Sequence, residues 1–146
     1  MSSVAAATLN AIDDVRSIVL PEHARADGSV IVAETAVHVP FPIARIFTLQ
    51  SLVGARRGNH AHRLCSQFFL CVSGVVEVIC DDGRTRRTFT LDRGNLGLIV
   101  PPTIWNTVIF QKPRSVVLAL CDRVYEAHDY IHDYNEFLAF REGASS

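Results

Sequence analysis

The stretch GARRGNHAHRLCSQFFLCVSG, residues 54–74, sets two histidines two positions apart between flanking glycines. Residues i and i+2 of a β-strand point to the same face, so His60 and His62 are expected to face one side together. Gln67 follows five residues after His62, at the start of an apolar segment. The pattern leaves three interpretations open: a metal site, a pair of catalytic bases, or a polar piece of strand.

The sequence around this stretch predicts an all-β fold. Short segments rich in β-branched and aromatic residues recur at the roughly 8–12-residue spacing typical of sandwiches and barrels. Turn dipeptides such as Asp82-Gly83 separate them, and this one predicts a tight hairpin turn. We expect strands at residues 29–35, 43–49, 67–73, 75–80, 85–91, 96–100, 106–110 and 115–121.

Near the C-terminus, the spacing of large hydrophobic residues changes from a strand pattern to a helical one. Tyr130, Tyr134, Phe137 and Leu138 recur at helical spacing, which predicts one or two short helical turns packed on the barrel. We therefore expect a single domain over residues 16–141, between a loose N-terminal tail (1–15) and a C-terminal tail (142–146).

Composition narrows the classes of function. Hydrophobic residues make up 49% and the net charge is −1, so no overall basic field favours nucleic acid. The sequence has no apolar run long enough for a membrane span and no signal-peptide pattern. The four cysteines form no C-x-x-C pair and are expected to be free, buried thiols in a cytoplasmic protein.

Two spacings resemble the cupin motifs. The first motif is matched with glutamine in place of its glutamate, at Gly54, His60, His62, Gln67 and Gly74. PPTIWN, residues 101–106, is similar to the second motif, with Thr103 and Asn106 replacing its glycine and histidine. The resemblance implies a single cupin (RmlC-like jelly-roll) β-barrel with a short C-terminal helical segment.

The missing ligands argue against a metal. A metal-binding cupin adds a carboxylate and a third histidine to the pair, but here those places hold the neutral amides of Gln67 and Asn106. Two histidines alone leave an under-ligated site, so we expect no metal. Imidazole is well suited to moving protons near neutral pH, and a proton-moving pair is the interpretation that remains.

A closer resemblance covers residues 27–140. RGNHAHRLCSQ is similar to the R-G-x-H-A-H-x-x-x-x-Q signature of the nucleotide-sugar 3,4-ketoisomerases, small cupins that act on dTDP-4-keto-6-deoxyglucose. Five further segments resemble that family's pattern: DGSVIVAE, PFPIARIFTL, CVSGVVEVICDDG, GLIVPPTIW and YEAHDYIHDYNEF.

This resemblance implies that His60 and His62 move a proton between C3 and C4 of the sugar, without a redox cofactor. The product is a dTDP-3-keto-6-deoxyhexose used in deoxy amino sugar biosynthesis. The implied substrate-binding residues are Arg45, Arg57, Gln67, Trp105 and Asn106. Arg57, or alternatively Arg63, is expected to hold the diphosphate, and Arg57 is expected to precede the regular strand. Trp105 is predicted either to pack on thymine or sugar or to lie in the core.

Several neighbouring residues are expected to be structural. Tyr130 and Tyr134 are predicted to brace the C-terminal segment, and Asp129 to be a cap or a surface charge. Asp27 and Asn106 depart from the family's usual residues, which leaves the C4 configuration of the product open.

Two alternatives remain at this point. One is a non-catalytic cupin that binds a sugar nucleotide. The other is a 3,5-epimerase, whose relatives rely on a histidine–aspartate dyad and a tyrosine acid. Exposed barrel edges and an apolar N-terminal strand favour a homodimer.

Overall fold

The computed structural model describes residues 8–145, and these residues form twelve β-strands, two short 3-10 turns and one α-helix. The strands are β1 (Arg16–Val19), β2 (Glu22–Arg25), β3 (Gly28–Ile31), β4 (Arg45–Gln50), β5 (Arg56–His62), β6 (Gln67–Ser73), β7 (Val76–Asp81), β8 (Arg86–Leu91), β9 (Leu96–Val100), β10 (Trp105–Phe110), β11 (Val116–Cys121) and β12 (Tyr130–Ile131). The helix α1 spans Tyr134–Ser145, and the 3-10 turns span Ile12–Asp14 and Ala127–Asp129.

Ten of the strands form two antiparallel sheets. One sheet has the order β1-β9-β6-β11-β4 and the other has the order β12-β5-β10-β7-β8. The main core contains inward-facing residues of both sheets, including Phe69 on β6, Val78 on β7, Val108 on β10 and Ala119 on β11. Two sheets packed across one apolar core confirm the predicted all-β cupin barrel.

The predicted strands are found, with small shifts at their ends. The predictions for residues 67–73 and 96–100 match β6 and β9 at both ends, while residues 32–35 fall outside β3. The predicted hairpin is β7–β8, with Val76 opposite Leu91 and Asp81 opposite Arg86. Gly83 supplies the positive φ of its turn, at +91°. The Asp82 carboxylate accepts the amide hydrogens of Arg84 and Thr85, so side chain and backbone stabilise the same turn.

The C-terminal helix is longer than predicted, with 12 residues instead of one or two turns. Asp133 caps its first turn, because its carboxylate accepts the amide hydrogen of Glu136 at 2.9 Å. Phe137 is fully buried and packs with Ala61, Trp105 and Ile131 in a second cluster. The helix therefore covers the face of β5 opposite the barrel interior.

Residues 1–7 of the predicted N-terminal tail lie outside the described residues. Farther along, Ile12 and Val15 are buried in the main core, so the packed part of the chain begins before residue 16. At the other end α1 continues through residues 142–145, and residue 146 lies outside the described range.

All four cysteines are free and buried, as predicted. Within residues 8–145, α1 is too short and too polar to cross a lipid bilayer.

Candidate active site

A cavity of about 350 Å³ opens into the barrel beside the histidine pair. Its walls come from β4, β5, β6 and β10 and from the segment between residues 125 and 132. Of the predicted site residues, it is lined by His60, Arg57, Gln67 and Asn106. Residues of three strands, β5, β6 and β10, therefore share one cavity, as the cupin resemblance implied.

A bulge in β5 brings Arg57 and His60 to the same cavity. His60 lies opposite Asn106, but the next partner of β10, Thr107, lies opposite Gly58, which leaves Asn59 as an extra residue. Gly58 and Asn59 both have positive φ, at +83° and +56°. The expectation that Arg57 precedes the strand is wrong, since β5 begins at Arg56. Because the bulge shifts the alternation of side chains by one residue, Arg57 and His60 can line the same cavity although both lie in β5.

His60 lies on the cavity wall with its ring only partly exposed. Loss of hydration, together with the neighbouring imidazoles of His62 and His132, lowers its pKa from 6.5 to about 4. His60 is therefore neutral at pH 7 and carries a free lone pair on one ring nitrogen, so it can accept a proton.

His62 is held by a buried carboxylate. Its Nδ1 lies 2.7 Å from Oδ2 of Asp129, whose other oxygen accepts the amide hydrogen of Leu64 at 2.6 Å. Burial alone would raise the pKa of Asp129, but hydrogen bonds from His62 and Leu64 lower it, so the carboxylate is ionised. Nδ1 of His62 therefore carries a proton, and in the neutral form of the ring Nε2 is the acceptor.

Asp129 is thus not the cap or surface charge predicted from the sequence. It is buried, with 4% of its surface exposed, and it fixes the tautomer of His62. The short strand β12, which follows it, pairs Tyr130 with His62 and so brings the carboxylate beside the ring.

Three buried polar atoms in or next to the cavity wall have no partner. Oε1 of Gln67, Nδ2 of Asn106 and Nε2 of His62 are buried and have no hydrogen-bond partner within residues 8–145. Leaving such groups unpaired is costly, and they are normally satisfied by protein, water or ligand. Gln67 and Asn106 line the cavity from different sheets, whereas His62 is not among the lining residues. The unpaired amide oxygen of Gln67 and amide nitrogen of Asn106 suit a ligand with hydroxyl and carbonyl groups.

Tyr130 also belongs to the cavity and does not merely brace the C-terminal segment. Its ring centroid lies 4.3 Å from that of His62 and 5.1 Å from that of His60. The ring of His132 stacks on that of Tyr130, with centroids 5.3 Å apart and planes nearly parallel. Tyr134 does serve the structural role predicted for it, because its hydroxyl donates to Oδ2 of the buried Asp81 at 2.6 Å.

Arg45 and Trp105 lie behind the cavity wall. Arg45 donates from Nη1 to the hydroxyl oxygen of Tyr130 at 3.0 Å, and its guanidinium lies over the ring of Phe47. Trp105 packs against Phe137 and Tyr134 under the helix. Among the described residues neither lines the cavity, so their direct contact with a ligand stays a prediction.

Asp27 is remote from this site. It lies in the exposed turn between β2 and β3, beside a separate surface groove.

Three buried residues have side chains of the kinds that can bind a metal ion. Ligand atoms of His62, Cys65 and Asp129 lie within 4.8 Å of one another. A hydrogen bond with Cys121, together with burial, raises the pKa of the Cys65 thiol strongly. Because a metal needs the thiolate, and Asp129 already accepts bonds from His62 and Leu64, these residues fit a metal poorly.

Comparison with known proteins gives one consistent result. The profile of the FdtA family, described as WxcM-like, C-terminal, matches residues 13–142. The TDP-4-oxo-6-deoxy-alpha-D-glucose-3,4-oxoisomerase of Aneurinibacillus thermoaerophilus is 33% identical over 111 residues, which are 75% of this chain and 80% of that protein.

Two solved structures show the same architecture. The 3,4-ketoisomerase from Helicobacter canadensis has 28% identity and a TM-score of 0.85, covering 88% of this chain and 98% of that chain. The TDP-quinovose 3,4-ketoisomerase from Campylobacter jejuni has 29% identity and a TM-score of 0.82, covering 88% of this chain and 99% of that chain. The similarity includes the barrel that builds the cavity.

Proposed function

Since the chain belongs to the FdtA family of WxcM-like C-terminal domains, we propose that it is a sugar 3,4-ketoisomerase. It converts dTDP-4-keto-6-deoxy-D-glucose to a dTDP-3-keto-6-deoxyhexose for deoxy amino sugar biosynthesis. The observation that carries this proposal is the pair of imidazole rings 5.1 Å apart at the cavity, with His60 neutral and His62 oriented by Asp129.

The histidine pair performs the carbon chemistry. The C3 proton is acidic because the neighbouring C4 ketone accepts the electrons released when that proton leaves. His60, which lines the cavity, is placed to reach the carbon, and His62 presents Nε2 beside it. The proton returns to C4, so hydrogen only moves between adjacent carbons and no redox cofactor takes part.

The remaining cavity residues suit the polar parts of the substrate. Asn106 and Gln67 offer unpaired amide atoms to the sugar oxygens, on which charge develops. Arg57 lies exposed at the rim beside Arg56, and a guanidinium binds phosphate oxygens in a bidentate manner. The described lining contains no carboxylate that would repel a diphosphate.

A homodimer forms part of the proposal. The β2–β3 hairpin pairs with neither barrel sheet among the described residues, and every residue of both strands is exposed. Val30 on β3 is 60% exposed, and Val19 at the end of β1 is 62% exposed. An exposed hairpin with apolar side chains suits burial against a second copy of the chain.

The proposed compartment is the cytoplasm. The four free, buried thiols fit a reducing environment, in which cysteines stay unpaired.

Product identification by NMR tests the function. Purified protein incubated with dTDP-4-keto-6-deoxyglucose is expected to move the ketone carbon signal from C4 to C3, and the same spectrum gives the C4 configuration. A ketone that stays at C4 despite tight dTDP binding would indicate the non-catalytic binding cupin instead.

The second candidate is a 3,5-epimerase. The His62–Asp129 pair and Tyr130 favour it, because they supply the histidine–aspartate dyad and the tyrosine that such enzymes use. In deuterated water an epimerase would label both C3 and C5 while leaving the ketone at C4. A ketoisomerase labels C4 of its product.

A further inference from the structure

The isomerisation requires a second proton transfer that the histidine pair does not explain. Exchanging a ketone and a neighbouring hydroxyl moves one proton between the carbons C3 and C4 and another between the oxygens O3 and O4. Asn106, which lines the cavity opposite His60, is a neutral amide and cannot carry a proton between oxygens. The proposed function thus needs another group that both donates and accepts a proton.

Tyr130 is positioned beside the carbon chemistry. It pairs with His62 across β12 and β5, and its ring contacts the rings of both catalytic histidines. It also lines the cavity. A sugar carbon within reach of the histidines therefore has its oxygens near the phenol.

The hydroxyl of Tyr130 is oriented for donation. A guanidinium has only donors, so in the 3.0 Å contact with Arg45 the phenolic oxygen must be the acceptor. Within residues 8–145 the hydroxyl donates to no other group, which leaves its hydrogen available to the cavity. The positive charge of Arg45 stabilises the phenolate that forms when this hydrogen leaves.

The other tyrosine at the cavity lacks this arrangement. Tyr125 is 62% exposed, and Arg45 meets the face of its ring, 5.2 Å from the centroid. A cation over a ring face does not stabilise charge on the hydroxyl oxygen as an N–H donor does.

We infer that Tyr130 is a catalytic residue that gives a proton to O4 of the sugar and takes one from O3, with Arg45 as its positioning residue. This inference rests on the proposed ketoisomerase function.

The step balances in atoms and electrons. As a histidine removes the C3 proton, the C–H electrons form the C3–C4 double bond and the carbonyl electrons move to O4, which takes the Tyr130 proton. The phenolate then removes the O3 proton, the O–H electrons form the C3 carbonyl, and the double-bond electrons take the histidine's proton at C4. Tyrosine and histidine both end in their starting states.

Tyr130→Phe is the direct test, with Tyr134→Phe as the matched control. The control removes a hydroxyl that bonds to Asp81 outside the cavity, so it is expected to keep wild-type kcat. A positioned acid–base group contributes on the order of 100-fold or more, so kcat of Tyr130→Phe should fall by about that factor. The dTDP dissociation constant and the circular dichroism spectrum are expected to stay unchanged.

A second variant covers the case in which Tyr130→Phe does not fold. Arg45→Met should lower kcat while leaving KM nearly unchanged. Where both variants fold, Arg45→Met should have little further effect in the Tyr130→Phe background, because the two residues act as one unit.

Wild-type kcat in Tyr130→Phe would overturn the inference. So would a rise in KM with unchanged kcat in Arg45→Met, which would make Arg45 a binding residue only. A wild-type protein that does not turn over dTDP-4-keto-6-deoxyglucose would refute the proposed function itself, a different outcome.

Discussion

At the scale of the residue, His60 and His62 lie in different environments. His60 loses hydration at the cavity and is flanked by imidazoles, whereas His62 is buried against the carboxylate of Asp129. Burial beside like groups keeps His60 neutral, and the carboxylate fixes the tautomer of His62. Desolvation therefore controls the protonation of His60, whereas a hydrogen bond controls the orientation of His62.

The Asp129–His62 contact is expected to control turnover. Asp129→Asn replaces an acceptor by an amide that can donate to Nδ1 and favour the wrong tautomer of His62. Removing such an orienting partner costs on the order of 10–100-fold, so kcat should fall by about that factor with KM nearly unchanged. Nitrogen-15 NMR of labelled histidine is expected to show the tautomer change.

Asp133→Asn is the control for this prediction. It changes the neighbouring acid that caps α1, where asparagine caps equally well, so its kcat should match wild type. An Asp129→Asn protein with wild-type kcat and an altered His62 tautomer would contradict the positioning role.

The pKa of His60 predicts a pH-dependent stability. In the unfolded chain the ring binds a proton below about pH 6.5, but in the folded protein it does so only below about pH 4. Between these values the unfolded state holds more protons, so the free energy of unfolding should fall as the pH drops from 6.5 to 4, by about 3 kcal/mol at most.

Urea unfolding at several pH values measures this effect. His60→Asn should flatten the dependence in that window, while His128→Asn, which alters an exposed ring, should not. An equal slope in His60→Asn and wild type would show that the ring is not desolvated.

The sequence predicts part of the site at this scale. His60, His62, Gln67 and Asn106 could be assigned because their spacing follows a motif. Asp129, Tyr130 and His132 could not, since they reach the site through β12, which has two residues and leaves no periodic pattern. Arg45 was found, but its contact with Tyr130 depends on that same strand.

At the scale of the element, the bulge in β5 determines which side chains reach the cavity. A Cβ at Gly58 would lie 3.0 Å from Oδ1 of Asn106, so the close approach of β5 and β10 requires glycine there. The alternation of side chains along a regular strand does not predict such a bulge. A glycine in the sequence is equally consistent with a turn or with a position of the motif, so Gly58 alone does not indicate a bulge.

Gly58→Ala tests this role, with Gly54→Ala as a matched control. Both glycines have φ of +83°, but a Cβ at Gly54 meets nothing within 4 Å. Each variant should lose about 1 kcal/mol from the backbone conformation. Only Gly58→Ala should lose more and also lower kcat/KM, because it displaces Asn106.

Thermal unfolding and steady-state kinetics of the two variants measure the difference. Equal stability losses and equal kcat/KM in both would contradict a role for the close contact between β5 and β10.

The other elements differ in how well the sequence predicts them. The central strands have buried apolar residues and clear turns, and they were found nearly to the residue. Strand β2 (Glu22–Arg25) is exposed throughout and lacks the alternation that burial imposes, so its sequence gives no strand signal. The sequence predicts a shorter helix because no large apolar side chain follows Phe140 to extend the helical pattern.

At the scale of the whole molecule, one cavity joins both sheets. His60 and Asn106 belong to one sheet, and Gln67 and Phe47 to the other, so the core that holds the sheets together also sets the distances across the site. Among the described residues, both strands of the β2–β3 hairpin lie exposed outside this core.

The exposed β2–β3 hairpin leads us to expect a homodimer. Light scattering coupled to size-exclusion chromatography is expected to give twice the 16.1 kDa mass of the chain. Val30→Lys places a charge on the exposed apolar face of β3 and should shift the protein toward monomer, whereas Lys112→Glu, in a turn between β10 and β11, should not. A monomeric wild-type protein would contradict the dimer.

The position of deuterium after turnover in deuterated water tests the central claim most directly. Wild-type protein should give a 3-keto product labelled at C4, while His60→Asn and His62→Asn should each lose orders of magnitude in rate and still bind dTDP. Full activity in both variants, or label at C5 with the ketone still at C4, would contradict proton transfer by this histidine pair.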